Sequence, residues 1–117
     1  MKREFVRTST FDRSWTAAGL TDEDLRELEN VLLANPQAGD VIPHLSGGRK
    51  LRFALEGRGK SGGARVIYVD IVVRERTYLL LAYPKNVQTN LTPEQVRILN
   101  RLIAELREAE CYGKLLQ

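Results

Sequence analysis

The chain has a single cysteine, Cys111, and a single histidine, His44, in 117 residues. One cysteine rules out an intrachain disulfide, and a structural zinc cluster needs several Cys or His ligands, so that is ruled out too. Any mechanism that needs two histidines from one chain is also ruled out. Apolar runs are short, and none approaches the roughly 20 residues that span a bilayer. Residues 1–7 carry Lys2, Arg3, Glu4 and Arg7 with no apolar stretch behind them. No secretory leader is expected there, and the expected compartment is a reducing cytoplasm. Nucleotide and hydrolase signatures lack their context. Gly57–Gly62 has the Gly-x-Gly-x-x-Gly spacing and Gly59–Gly63 the Gly-x-Ser-x-Gly spacing. This loop leads from one expected strand to another, not from a strand into a helix, as both signatures need. Gly59-Lys60-Ser61 has the ending of a P-loop, but the position five residues before Gly59 holds Ala54, so a P-loop is rejected.

What is present is an ordinary globular composition, 43% hydrophobic and 28% charged, which argues for one folded domain rather than a disordered chain. The pattern predicts a strand over 3–8 and a short helix over 11–18 with Phe11 and Trp15 facing the core. A second helix is predicted over 22–34. Thr21 is its N-cap, Asp24 sits at the capping-box position, and Leu25, Leu28, Val31 and Leu32 form its buried stripe. A long connection over 36–48 follows.

Alternation then predicts a strand over 49–55, with Leu51, Phe53 and Leu55 on one face and Lys50, Arg52 and Ala54 on the other. A glycine-rich loop over 56–63 leads to two strands, 65–73 and 77–83, that are apolar on both faces and therefore covered on both sides. Thr92, Pro93 and Gln95 start a last helix over 93–110, and residues 111–117 are expected to form a tail. The expected fold class is α+β in the order β-α-α-β-β-β-α. It has one twisted, mainly antiparallel sheet with helices against it, in a domain spanning 1–110.

The net charge of +3 is unevenly spread. Residues 49–65 hold Arg49, Lys50, Arg52, Arg58, Lys60 and Arg65 against Glu56, six bases and one acid, or +5. The remaining 12 bases and 14 acids give −2. If the hairpin closes symmetrically about residues 59 and 60, Ala54 faces Arg65, and Arg65 shares a face with Lys50 and Arg52. Two readings stand side by side. One is a solvated basic edge that resists sheet-to-sheet pairing. The other is a phosphate-binding surface, since like charges repel and a tolerated cluster points to an anionic partner. Gly57, Gly59, Gly62 and Gly63 allow close backbone approach to phosphates, or simply a pliable hairpin.

Several segments together resemble RelE-type toxins of type II toxin–antitoxin modules, nearest to the HigB-like branch. They are Arg49-Lys50-Leu51-Arg52-Phe53, the run from Gly59-Lys60-Ser61 to Ala64-Arg65-Val66-Ile67-Tyr68, Leu79-Leu80-Leu81-Ala82-Tyr83-Pro84-Lys85-Asn86, and Leu91-Thr92. The run Leu33-Ala34-Asn35-Pro36 through Val41-Ile42-Pro43 fits as well, and the likeness covers about residues 5–107.

The resemblance implies a RelE/ParE fold and a ribosome-dependent mRNA endonuclease that inhibits translation. It implies cleavage without a metal or other cofactor, by attack of the ribose 2′-OH on the adjacent phosphate. The implied partners are a cognate antitoxin, expected to be a small helix-turn-helix DNA-binding protein, together with the ribosome and mRNA. No membrane is expected. By position, Arg65 matches the family's characteristic arginine and is assigned to the transition-state phosphate. Lys50 and Arg52 match the preceding basic pair, and Lys85 the base after the last strand. Tyr83 is a candidate for base stacking or proton transfer, or else a core-edge aromatic. Arg49, Arg58 and Lys60 are expected to hold the RNA backbone.

His44 could serve as a base or be a solvated loop side chain, and Cys111 is expected to be inert. The resemblance gives no role to Tyr112. Two other functions remain open: a ParE-like inhibitor of DNA gyrase, and a non-catalytic toxin-fold module that only pairs with a regulator.

Overall fold

The computed structural model describes residues 3–54, 63–88 and 90–116, with side chains through residue 109. Its elements are β1 (Glu4–Arg7), α1 (Ser9–Ala17), α2 (Asp22–Ala34), β2 (Asp40–Val41), β3 (Arg49–Phe53), β4 (Ala64–Ile71), β5 (Arg76–Pro84) and α3 (Pro93–Leu116). The five strands form one sheet in the order β1-β5-β4-β3-β2. β1 runs parallel to β5, and the other pairs are antiparallel. The α+β class and the element order agree with the sequence expectation, with one short strand added.

Local chemistry sets the helix ends. Thr8 caps α1 by accepting from the Phe11 amide at 3.1 Å, so the helix starts two residues earlier than expected. In α2, Thr21 and Asp24 form the reciprocal capping box, at 3.2 and 2.9 Å. Thr92 and Gln95 repeat it at the start of α3, at 3.1 and 2.9 Å. The backbone of α3 continues beyond the expected end at residue 110 to Leu116.

The helices cover both sheet faces. α1 and α2 pack Phe11, Trp15, Leu25, Leu28 and Leu32 against Leu51, Phe53, Val66, Tyr68 and Leu79. Phe11 and Trp15 stack at 5.3 Å, and Trp15 reaches Phe53 at 6.2 Å. Leu99 and Ile103 of α3 cover Ile67, Val69, Leu80 and Tyr83 on the opposite face. β4 is buried along nearly its whole length, as its two-sided apolar pattern requires.

Four expectations differ in detail. Val31 was placed in the buried stripe of α2 but is 40% exposed, because the helix rests on Leu25, Leu28 and Leu32 alone. Residues 72–73 do not extend β4. Val72–Arg74 winds into a 3-10 turn that ends at Glu75, a residue in the left-handed region at φ 50°. β2 lies inside the expected 36–48 connection. The hairpin register also differs: Arg65 faces Arg52, not Ala54. That is a shift of two residues, so the pleat keeps Arg65 on the face of Lys50 and Arg52.

Candidate functional site

The site follows from this register. Arg52 lies opposite Arg65, and Arg65 lies opposite Tyr83, so a row runs across β3, β4 and β5. The next row inward reads Asp40, Lys50, Ile67 and Leu81 across β2 to β5. Directly opposed residues share a face. Lys50, Arg52, Arg65 and Tyr83 therefore all belong to the α3 side of the sheet. Leu80 is the extra residue at a bulge that separates the pairs Ile67–Leu81 and Tyr68–Leu79. The bulge lets Tyr83 stay in phase with Arg65 while β5 also aligns with β1.

Burial grades the row. Arg65 is 7% exposed and Tyr83 5%, so they form a floor. Arg52 is exposed and Lys50 half-buried, so they form the rim. The Tyr83 hydroxyl is buried without a hydrogen-bond partner among the described residues. Burial raises the Tyr83 phenol above its ordinary pKa, and the Arg65 guanidinium only partly opposes this. The phenol is therefore a neutral donor at physiological pH. A ring this buried offers no open face for stacking a base.

The rim has further supports. The Lys50 ammonium donates to Asn90 Oδ1 at 3.3 Å. Lys85 is exposed in the turn after β5, and its backbone N–H donates to Gly63 O at 3.2 Å, tying that turn to the start of β4. Gly63 has φ +54°, and a Cβ there would fall 2.2 Å from Phe53 O. Only glycine fits this close crossing of β3 and β4. Arg52 also borders a groove of about 400 Å³ between α2 and the edge of β3, which Glu27, Asn30 and Val31 line.

The structure does not bring every expected residue here. Arg49 alternates to the opposite face, where its guanidinium donates to Gly39 O at 2.8 Å. Beside it the Tyr68 hydroxyl donates to Pro36 O and accepts from Gly39 N, fixing the turn into β2. His44 is exposed at φ 67°, and its carbonyl accepts from Asn100 of α3 at 2.6 Å. Arg58 and Lys60 lie outside the described residues, as do the Cys111 and Tyr112 side chains. Sequence reasoning missed Asp40, which stands opposite Lys50 on β2, and Asn90, whose Oδ1 accepts from the Lys50 ammonium; no local pattern announces either. Among the described residues no group of His, Cys, Asp and Glu could hold a metal ion, and no helix is long and apolar enough to cross a membrane.

The family model of the RelE toxin of the RelE/RelB toxin–antitoxin system matches residues 3–113. The chain belongs to the RelE toxin family. It is a RelE-type toxin of a toxin–antitoxin system, and the family implies a cognate antitoxin as its partner. Solved structures share the fold. The isolated E. coli RelE toxin is 14% identical with a TM-score of 0.52, covering 86% of this chain and 99% of that one. A mutant of E. coli RelE in the free state, with two arginines replaced by alanine, is 14% identical with a TM-score of 0.53 and covers 75% and 88%. In this RelE-type toxin the basic row lies on the sheet face that α3 covers in part.

Proposed function

We propose that this RelE-type toxin cleaves mRNA on the ribosome and so stops translation, with Arg65, Lys50, Arg52, Lys85 and Tyr83 as its catalytic face. One observation carries the reading: two arginines and a buried phenol with no hydrogen-bond partner among the described residues align in one row across three strands. The ribose 2′-oxygen attacks the adjacent phosphorus, the bond to the 5′-oxygen breaks, and the 2′-OH proton leaves to a base. Charge builds on the non-bridging oxygens, where fixed cations stabilise the transition state most. Arg65, held in the floor, faces that charge. Lys50 and Arg52 flank it, and Lys85 follows in the exposed turn after β5, two residues beyond Tyr83. The buried Tyr83 phenol, beside Arg65, serves as the proton donor to the phosphate or the leaving oxygen once RNA binding uncovers it. These cations supply the charge stabilisation, so the scheme uses no metal ion.

Arg58 and Lys60 are assigned to the RNA backbone on the family resemblance alone. Arg49 supports it indirectly, by bracing the turn that leads into β2. The likeness to the HigB-like branch favours a small helix-turn-helix protein as the antitoxin, and a ribosomal target places the toxin in the cytoplasm.

The test is induced expression of wild type and Arg65→Ala, with cut sites mapped in a translating extract. Growth arrest and discrete cuts by wild type, both lost in Arg65→Ala, support the reading. A folded wild type that leaves translation and mRNA intact overturns it. Cleaved DNA with intact mRNA would instead support gyrase inhibition.

A further inference from the structure

We propose that Asn90 is a positioning residue that holds the Lys50 ammonium on the catalytic face, and that Gln88 and Gln95 fix it there from the start of α3. The proposal rests on the reading of that face as an mRNA-cleaving site.

The hydrogen bonds form one connected path. Lys50 Nζ donates to Asn90 Oδ1 at 3.3 Å. The backbone carbonyl of Asn90 accepts from Gln88 Nε2 at 2.9 Å. The same Gln88 Nε2 donates to Gln95 Oε1 at 2.8 Å. Gln95 Oε1 in turn accepts from the backbone N–H of Thr92 at 2.9 Å, closing the capping box of α3.

Donor and acceptor chemistry fixes the orientation of each amide. An ammonium can only donate, so the Asn90 oxygen must face Lys50. A backbone N–H can only donate, so the Gln95 oxygen must face Thr92. Gln88 then meets two acceptors, a backbone carbonyl and the Gln95 oxygen, and must present its NH₂ to both. No amide can flip without breaking a bond at one end of the path.

The consequence is positional. A lysine on a strand has four rotatable side-chain bonds, and its ammonium wanders unless something holds it. Three other charged groups share its face: Asp40 directly opposite on β2, and Arg52 and Arg65 one row away. Asp40 draws the ammonium toward the sheet edge and the two arginines repel it. Asn90 is neutral, so it holds Lys50 without cancelling the charge that phosphate needs. A carboxylate at 90 would hold the ammonium equally well but would repel the RNA.

The test is a double-mutant cycle with Lys50→Ala, Asn90→Ala and both together, read by single-turnover cleavage of mRNA on purified programmed ribosomes. Asn90→Ala is expected to lower kcat by about threefold to tenfold, the low end for coupled pairs because this one is partly exposed. KM should stay within about twofold, because the placed charge acts on the transition state rather than on ground-state binding. In the Lys50→Ala background, Asn90→Ala should add nothing. An independent readout in the free protein is the order parameter of the Lys50 ε-methylene by ¹³C relaxation, which should fall in Asn90→Ala and also in Gln88→Ala.

Slow Lys50→Ala with a wild-type rate in Asn90→Ala, additive effects in the double variant, or an unchanged Lys50 order parameter would overturn the positioning role while leaving the catalytic reading intact. A wild-type rate in Lys50→Ala removes Lys50 from the catalytic face and overturns the positioning role, whereas a folded wild type that cuts no mRNA overturns the proposed function itself. Loss of the folded state is excluded by measuring the thermal midpoint of each variant.

Discussion

Arg52 and Arg65 stand directly opposite one another across β3 and β4. Facing residues of an antiparallel pair have Cα atoms about 4.5–5.5 Å apart, and like charges there oppose pairing. One of the two is buried and the other exposed, so the repulsion is only partly screened. A stability-driven sequence would put an acid or an apolar residue at one of these positions. On the proposed reading, the RNA phosphate is the anion that both arginines face.

Arg65→Ala and Arg52→Ala should therefore part company in two measurements. Cleavage on translating ribosomes should fall by about 10²–10³ for Arg65, the scale seen when a preorganised donor to a developing oxyanion is removed. The exposed, solvent-screened Arg52 should cost less, about fivefold or under. Thermal unfolding of Arg52→Ala should stay within about 0.5 kcal/mol of wild type, or rise slightly as the repulsion is relieved. A loss of stability above about 2 kcal/mol in Arg52→Ala would show that its role in the fold outweighs the repulsion.

Tyr83→Phe removes a buried hydroxyl that has no partner among the described residues. An unmet buried donor costs about 1–3 kcal/mol, so the variant should unfold at a higher temperature, by about 3 °C or more. Its cleavage rate should fall by about 10²-fold or more if the phenol donates to the reacting phosphate. Equal rates for Tyr83→Phe and wild type would reduce Tyr83 to a packing residue.

Asp70 is expected to matter to folding alone. It pairs with Arg3, each side chain being only 6% exposed, and it accepts from the Thr77 hydroxyl at 2.9 Å. This cluster ties the residue before β1 to β4 and β5 and belongs to no part of the basic row. Asp70→Ala strands a buried guanidinium and should destabilise by about 3 kcal/mol. Urea unfolding measures that loss, while the cleavage rate per folded molecule should stay unchanged.

Alkaline pH should weaken the fold. Burial raises the phenol pKa of Tyr68 above its ordinary 10.0, outweighing its bond to Gly39 and the Arg49 charge, and burial raises that of Tyr83 likewise. The unfolded chain releases these protons near pH 10 while the folded chain still holds them. Their contribution is complete below pH 10 and is lost as pH climbs through the higher folded values. Unfolding free energy followed from pH 8 to 11.5 should fall along this course, and less steeply in Tyr68→Phe.

Much of this was legible in the sequence because it depends on parity and caps. Thr21, Asp24, Thr92 and Gln95 announce two helices through local hydrogen bonds alone. The cationic face survived a register error because the error was two residues, and a pleat repeats every two. What sequence could not show depends on distance along the chain. Asp40–Val41 is too short to carry a period, so β2 went unseen. Val72 and Val73 look like strand residues by propensity, yet they are 61% and 84% exposed in a turn, since the sheet has nothing there to bury them. The contact between Lys50 and Asn90 spans 40 residues and exists only once β3 meets the approach to α3.

The partnerless Tyr83 hydroxyl has an evolutionary consequence. A library of variants sorted purely for heat resistance should enrich replacements at Tyr83, since an apolar ring fits that pocket better. A library sorted for cells that survive the toxin should enrich replacements at the same position. If the phenol serves cleavage, two unrelated selections, one for a harder protein and one for a harmless one, converge on the same residue.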